Sequence, residues 1–173
     1  GIQAGRSIVP LFDGSEVSWR DHMVTEFTTH GVGFAPHRAV RSDRYKLIHN
    51  LHLGHSKPGI NVDGREVRDA LSDPKWADSP IQEVFARMDR PPDYELYDLQ
   101  EDPLEMTNLA DDPKHTAILN DLLERLTVWR KETFDPLLSE RYFERMRQHT
   151  ADHFAALEVA TQEAKEKGEE PPY

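Results

Sequence analysis

The sequence predicts an α+β fold: a small antiparallel sheet of about four strands, covered by a long helix, with a long C-terminal helical extension. Three stretches carry this reading. Residues 38–50, RAVRSDRYKLIHN, form two short runs of apolar and charged residues around Ser42-Asp43-Arg44, the pattern of a hairpin. Residues 94–99, YELYDL, place apolar side chains on both faces of one short strand and are followed by Pro103, which has no donor for a ladder. Ile118, Leu119, Leu122, Leu123, Leu126 and Trp129 recur at helical period and form one apolar stripe.

Taken in order, Gly5–Gly14 reads as a short helix with Ser7 as its cap, Pro10 in its first turn and Gly14 at its end. Strands are expected at about 22–28, 38–42, 44–50 and 94–99, and Thr29–Pro36 is read as a glycine-containing loop. In the second arm of the hairpin Tyr45, Leu47 and His49 share one face, and Lys46, Ile48 and Asn50 the other. Residues 52–93 read as a long connection of the kind that is often functional or a lid. It holds a turn at Asn61–Gly64 and short helices at Arg65–Leu71 and Ser79–Met88, the latter capped by Ser79 with Pro80 next. After residue 99 the chain turns at Pro103, and Asn108-Leu109-Ala110 supply a hydrophobic plug. Asp111-Asp112-Pro113 then open a helix over 114–133, the carboxylates lying at its positive end. Phe134-Asp135-Pro136 stops that helix, and Ser139–Lys167 forms a second one with a weaker stripe of Tyr142, Phe143, Met146, Phe154, Leu157 and Ala160. Residues 168–173 read as a frayed tail. The expected division is 1–136 for the α+β unit and 137–173 for the helical extension and tail.

Composition excludes several functions. A net charge of −11 argues against a nucleic-acid partner, which would want a basic face. The absence of cysteine removes any disulfide, zinc–thiolate site or cysteine nucleophile within the chain. No apolar run approaches the roughly 20 residues of a membrane-spanning helix. The chain does not begin with Met, and Gly1 is read as a cut or processed end.

Motifs for chemistry are sparse. There is no G-x-S-x-G, P-loop or dinucleotide fingerprint, and no catalytic residue is assigned. His49, His52 and His55 in HNLHLGH lie in a post-strand loop, and His149 and His153 interrupt an amphipathic stripe, so no metal ligands are assigned. The basic group Arg38, Arg41, Arg44 and Lys46 stands out in an acidic chain. Its charges either pair with surrounding acids or, around His30, His37 and Arg38, recognise an anion through the forked guanidinium.

ELYDL, two residues, DP, then E-x-x-NLA-x-x-P over residues 95–113 resembles the C-terminal subdomain signature of the sulfatase family. G-x-S-x-x-P-L-x-x-G at residues 5–14 and R-x-V-R followed by Tyr45-Lys46-Leu47-Ile48 are similar to further segments of that subdomain. The ending Trp129, Glu132, Thr133, Asp135 and Pro136 resembles the heparan N-sulfatase group, with the likeness running from about Gly5 to Pro136. The resemblance implies the C-terminal portion of a hydrolase of sulfate esters or N-sulfated sugars. Its partners would be a catalytic domain, upstream or on a separate chain, and a sulfated sugar, with self-association of the isolated chain expected. It also implies an exported or lysosome-like location. Calcium and a formylglycine made from a C/S-x-P-S-R motif would reside in that catalytic domain; this chain has no such motif and is expected to be inactive alone. The donor chemistry of this region puts His30, His37 and Arg38 forward as substrate-binding residues, and the resemblance implies that His30 lies in the loop that faces the substrate pocket. A free-standing binding or oligomerisation module sharing this fold is the alternative.

Overall fold

The computed structural model describes residues 7–12, 14, 18–30, 33–52, 70–71 and 73–169. The expected turn at 61–64, most of the helix expected at 65–71, and His55 lie outside them. The architecture is α+β. A four-stranded antiparallel sheet runs in the order β1 (Met23–His30), β2 (Gly33–Arg41), β3 (Tyr45–Asn50), β4 (Tyr94–Asp98). The helices are α1 (Val9–Phe12), α2 (Pro80–Asp89), α3 (Thr116–Glu132) and α4 (Glu140–Lys167).

Register decides which residues enter the core. Val40 pairs with Val24 and Leu47, and Leu47 pairs with Leu96, so these four share one face across the whole sheet. Val40, Leu47 and Leu96 are fully buried there against Leu122 and Leu126 of α3, with Ile118, Leu119, Leu123 and Trp129 packed around them. The helical stripe legible in the sequence is therefore the seam between α3 and the sheet. Truncating either buried leucine of α3 to alanine falls in the range of about 2–5 kcal/mol typical of core sites.

β4 is last in the sheet order, yet it is not an open edge. The Leu96 amide donates to Asn108 Oδ1 at 2.9 Å, and Asn108 Nδ2 donates to the Tyr94 carbonyl at 3.1 Å. The Leu109 amide closes the row on the Leu96 carbonyl at 2.8 Å. Asn108 thus does the work of a fifth strand, and Leu109 and Ala110 then lie against the core as the expected plug. At the end of β4 the buried Asp98 carboxylate accepts from the Gln100 amide at 3.2 Å and takes both Nε and Nη2 of Arg44, the latter at 2.6 Å. Arg44 belongs to the β2–β3 turn, so this pair ties two chain reversals together.

Helix ends follow local rules. Ser79 and Ser139 accept from Ile81 and Tyr142 amides at the starts of α2 and α4. Asp112 caps a single 3-10 turn, Pro113–His115, before α3 begins. Gly168 ends α4 in the left-handed conformation, its amide bonding the Lys165 carbonyl while the Glu169 amide bonds the Ala164 carbonyl; the rest of the expected frayed tail, 170–173, lies outside the described residues. α4 is held to the sheet through Phe143, whose ring meets Phe34 of β2 edge-on with centroids 5.3 Å apart.

The largest departure from expectation is at 29–36. Thr29 and His30 finish β1 and Gly33–Pro36 start β2, with His30 paired to Gly33. Glycines and a proline there signalled a loop. The proline is instead accommodated at a bulge: between the pairs Phe27–His37 and Thr29–Phe34, Thr28 stands opposite the two residues Ala35 and Pro36.

Replacing Asn108 with alanine is expected to leave the buried edge of β4 without its acceptor and to cost about 1–3 kcal/mol, measured by urea denaturation. Asn108→Asp, which sets a carboxylate oxygen against the Tyr94 carbonyl, is expected to cost at least as much.

Candidate functional site

The three residues put forward from the sequence do not form one face. His37 and Arg38 are adjacent in β2 and point to opposite sides of the sheet. His30 is the last residue of β1, two residues along the chain beyond the bulged position Thr28.

Arg38 points to the helix side and is 1% exposed. Its Nε and Nη2 form a fork on the Asp135 carboxylate at 3.0 and 2.8 Å. Arg130, at the end of α3, adds its Nε to the same carboxylate at 2.7 Å. The Leu137 amide supplies a fourth donor at 3.0 Å. Two carboxylate oxygens offer about four lone-pair sites, so the four donors saturate the acid. Burial by itself would push the Asp135 carboxyl up; the hydrogen bonds from Arg38 and Arg130 outweigh it and hold the group below the ordinary carboxylate range. Two cations against one buried acid leave an excess positive charge, met at longer range by exposed Glu26, 3.7 Å from Arg38 Nε.

The remaining Arg38 nitrogen faces the bulge. Nη1 donates to the Phe27 carbonyl at 2.9 Å, the His37 carbonyl at 3.0 Å and Thr28 Oγ1 at 3.3 Å. Pro36 contributes no amide to the ladder at this irregularity, and the Arg38 side chain supplies a donor there instead. The expected fork for a sulfated ligand is therefore already closed on Asp135, and direct contact of Arg38 with a sugar is corrected to a role behind the surface.

His37 lies on the other side of the sheet, half-buried, stacked on Phe27 with ring centroids 5.0 Å apart and 12° between planes. Its Nδ1 sits 3.2 Å from the Ala35 carbonyl, which makes it the donor in the neutral ring. Burial lowers its pKa below the ordinary histidine value, offset in part by that carbonyl and by Glu95. Next to it, Asn50 donates to the Glu95 carboxylate at 2.8 Å and to the Pro92 carbonyl at 2.7 Å, and the buried Tyr97 hydroxyl donates to the same carboxylate. Burial and that carboxylate push the Tyr97 phenol up.

The other basic residues are accounted for separately. Arg44 holds Asp98, Lys46 holds Glu105 at 2.6 Å, and Arg41 is exposed. Of the two readings of the basic group, pairing with acids is the one seen for Arg38, Arg44 and Lys46, whose partner acids each arrive from a distant part of the chain. His49 packs on Tyr94 and His52 lies against Phe34 and Phe143. Among the described residues no group of three or more histidine, aspartate or glutamate side chains is placed to hold a metal. No helix among them is long and apolar enough to cross a membrane.

Sequence reasoning named Asp135 in a motif but missed its partner, 97 residues away. The available signal was a charged residue between a helix end and a proline. Phe134, just before it, adopts a left-handed φ of 54° with its side chain 77% exposed, which is the bend that turns Asp135 inward.

No family model matches the chain. It is 30% identical over 139 residues to an ulvan-active sulfatase of Formosa agariphila, covering 79% of this chain and 26% of that protein. It is also 30% identical over 141 residues to the N-sulphoglucosamine sulphohydrolase of Homo sapiens, covering 76% of this chain and 27% of that protein. The chain thus spans about a quarter of the length of these curated relatives. Among solved structures it superimposes with a TM-score of 0.50 on a 2-O GAG sulfatase at 25% identity, over 76% of this chain and 21% of that one. The fold is shared, again with a TM-score of 0.50, by a sulfatase-type protein from Bacteroides thetaiotaomicron at 23% identity, over 80% of this chain and 24% of that one.

Arg38→Ala is expected to cost about 3–5 kcal/mol, the range for stranding one member of a buried pair, read from denaturant midpoints. The carboxylates have a sign of their own. Asp135 and Asp98 both have folded pKa values below the usual 3.8, that of Asp98 at about 2, held down chiefly by Arg44. Their contribution is fully present above the unfolded value and is lost as pH falls through the lowered one. Stability is expected to decline between about pH 4 and pH 2, and more shallowly in Asp98→Asn, followed by circular dichroism during acid titration.

Proposed function

Because this chain belongs to the sulfatase family, as a segment about a quarter the length of its curated relatives, we propose that the complete protein hydrolyses sulfate esters or N-sulfated sugars. On this reading the segment contributes substrate positioning and packing, and the catalytic centre lies in a separate domain. The observation that carries the proposal is the pair of 30% identities to two sulfatases, each over about three-quarters of this chain. The names of those relatives, ulvan-active and N-sulphoglucosamine-directed, motivate a sulfated glycan as the substrate class.

The residues of this chain do not fit the chemistry that the family implies. It holds no cysteine and no C/S-x-P-S-R sequence from which formylglycine could be made. Among the described residues no group of three or more acids is gathered as calcium ligands, and Asp98, Asp112 and Asp135 are engaged as a cap or as ion-pair partners. Formylglycine and calcium are therefore assigned to the catalytic domain, and no step of the reaction is routed through this chain. What it offers is the β1–β2 hairpin, with His30 at its strand end and His37 on the outer face. A histidine there can donate to an anionic oxygen, more strongly when protonated. Such a contact would raise specificity by positioning the sugar.

In the full-length enzyme, His30→Ala is expected to lower kcat/KM for a sulfated disaccharide by about ten- to a hundredfold, the equivalent of one charged hydrogen bond of about 1.5–3 kcal/mol. A minimal aryl sulfate should lose much less. Equal losses on both substrates, or no loss on either with the fold intact, would remove the sugar-reading role. The 173-residue chain alone, assayed with and without calcium on both substrates, is expected to show no turnover.

A further inference from the structure

We infer that the Arg38–Asp135–Arg130 cluster is a positioning device, which fixes the bulge of the β1–β2 hairpin and with it the strand end at His30. This rests on the reading that the hairpin contacts the sugar.

The argument begins at the bulge. A β-bulge bends its strand and re-aims the side chains beyond it. Here it falls between Phe27 and Thr29, immediately before His30. A bulge next to a proline lacks one ladder donor, so its geometry depends on what else holds it. Arg38 Nη1 holds it, through the Phe27 carbonyl and the Thr28 hydroxyl. The same guanidinium is prevented from turning, because its other two nitrogens are locked on Asp135. Asp135 in turn is fixed by Arg130 and by the Leu137 amide at the corner between α3 and α4. A planar group with all three nitrogens engaged transmits position from that corner to the bulge.

The alternative is that the cluster only contributes stability. That alternative predicts loss of midpoint without a selective effect at the hairpin. The charge balance argues for more than stability, since isolated buried ion pairs seldom stabilise more than an apolar replacement would. Asp135→Asn separates the two accounts. It keeps the size of the side chain but converts one oxygen into a donor that faces the two arginines.

In full-length protein, Asp135→Asn is expected to speed amide hydrogen exchange at least fivefold in peptides covering residues 23–36, with no comparable change in peptides covering 94–99. The same variant is expected to lose at least tenfold more kcat/KM on a sulfated disaccharide than on an aryl sulfate, mainly through KM. Unchanged exchange over 23–36 in a folded variant overturns the inference, as does acceleration spread evenly over the sheet. Where Asp135→Asn does not fold, Thr28→Val, which removes only the hydroxyl acceptor, is judged by the same exchange criterion with a threshold of twofold. Loosened exchange at 23–36 in Asp135→Asn, together with an unchanged substrate ratio in His30→Ala, would leave the clamp standing and refute the sugar-reading role of the hairpin.

Discussion

A single buried carboxylate constrains this molecule more than any other group. Asp135 sits where an unpaired charge would be prohibitively unfavourable, and its environment is acceptable only because two arginines and an amide converge on it. Each donor comes from a different piece of the fold: β2, the last turn of α3, and the turn that leads into α4. None of these pieces can shift without stranding a charge. The apolar seam between α3 and the sheet supplies the larger driving force, but hydrophobic contact is non-directional and would tolerate sliding. The ion cluster has direction, and it selects one placement of the α3–α4 corner against the sheet.

The segment Tyr94–Pro113 works by a different principle. Its polar residues are specialised for local closure. Asn108 satisfies the outer row of β4, Asp98 caps the following turn and holds Arg44, and Asp112 caps the turn before α3. Each apolar residue of ELY and NLA enters or borders the core, apart from the flanking charges. This explains how the fold alone can set the residue types of such a signature. Its residue types are demanded by backbone hydrogen bonds that must be met in a buried place.

Function on this reading divides between two surfaces of one hairpin. The helix-facing side of β2 is used up in structure. The outer side, where His37 is stacked on Phe27, and the strand end at His30 are the places put forward for a partner. The partition follows from strand alternation alone: neighbouring residues must face opposite sides, so a histidine and an arginine adjacent in β2 could not both have reached one ligand.

Much of the fold was legible in the sequence because its signals are short-ranged. Caps at Ser79 and Asp112, the stripe on α3, the Ser42–Arg44 turn and the division of β3 into two faces all depend on residues within a turn or two of each other. The same local logic misjudged Thr29, His30 and Gly33–Pro36, where glycine and proline marked strand ends around a bulge rather than a loop. The site was less legible. A guanidinium fork has the same shape whether it meets a sugar sulfate or a side-chain carboxylate, so residue type could nominate Arg38 for either. What the sequence by itself determined was that a fork, an acid before a proline and a pair of histidines were present in an α+β frame. Only the tertiary structure decided that the fork and the acid belong to each other. Chain reversals bring residues 97 apart in sequence to 2.8 Å, and burial then makes any other partner for either of them energetically inaccessible.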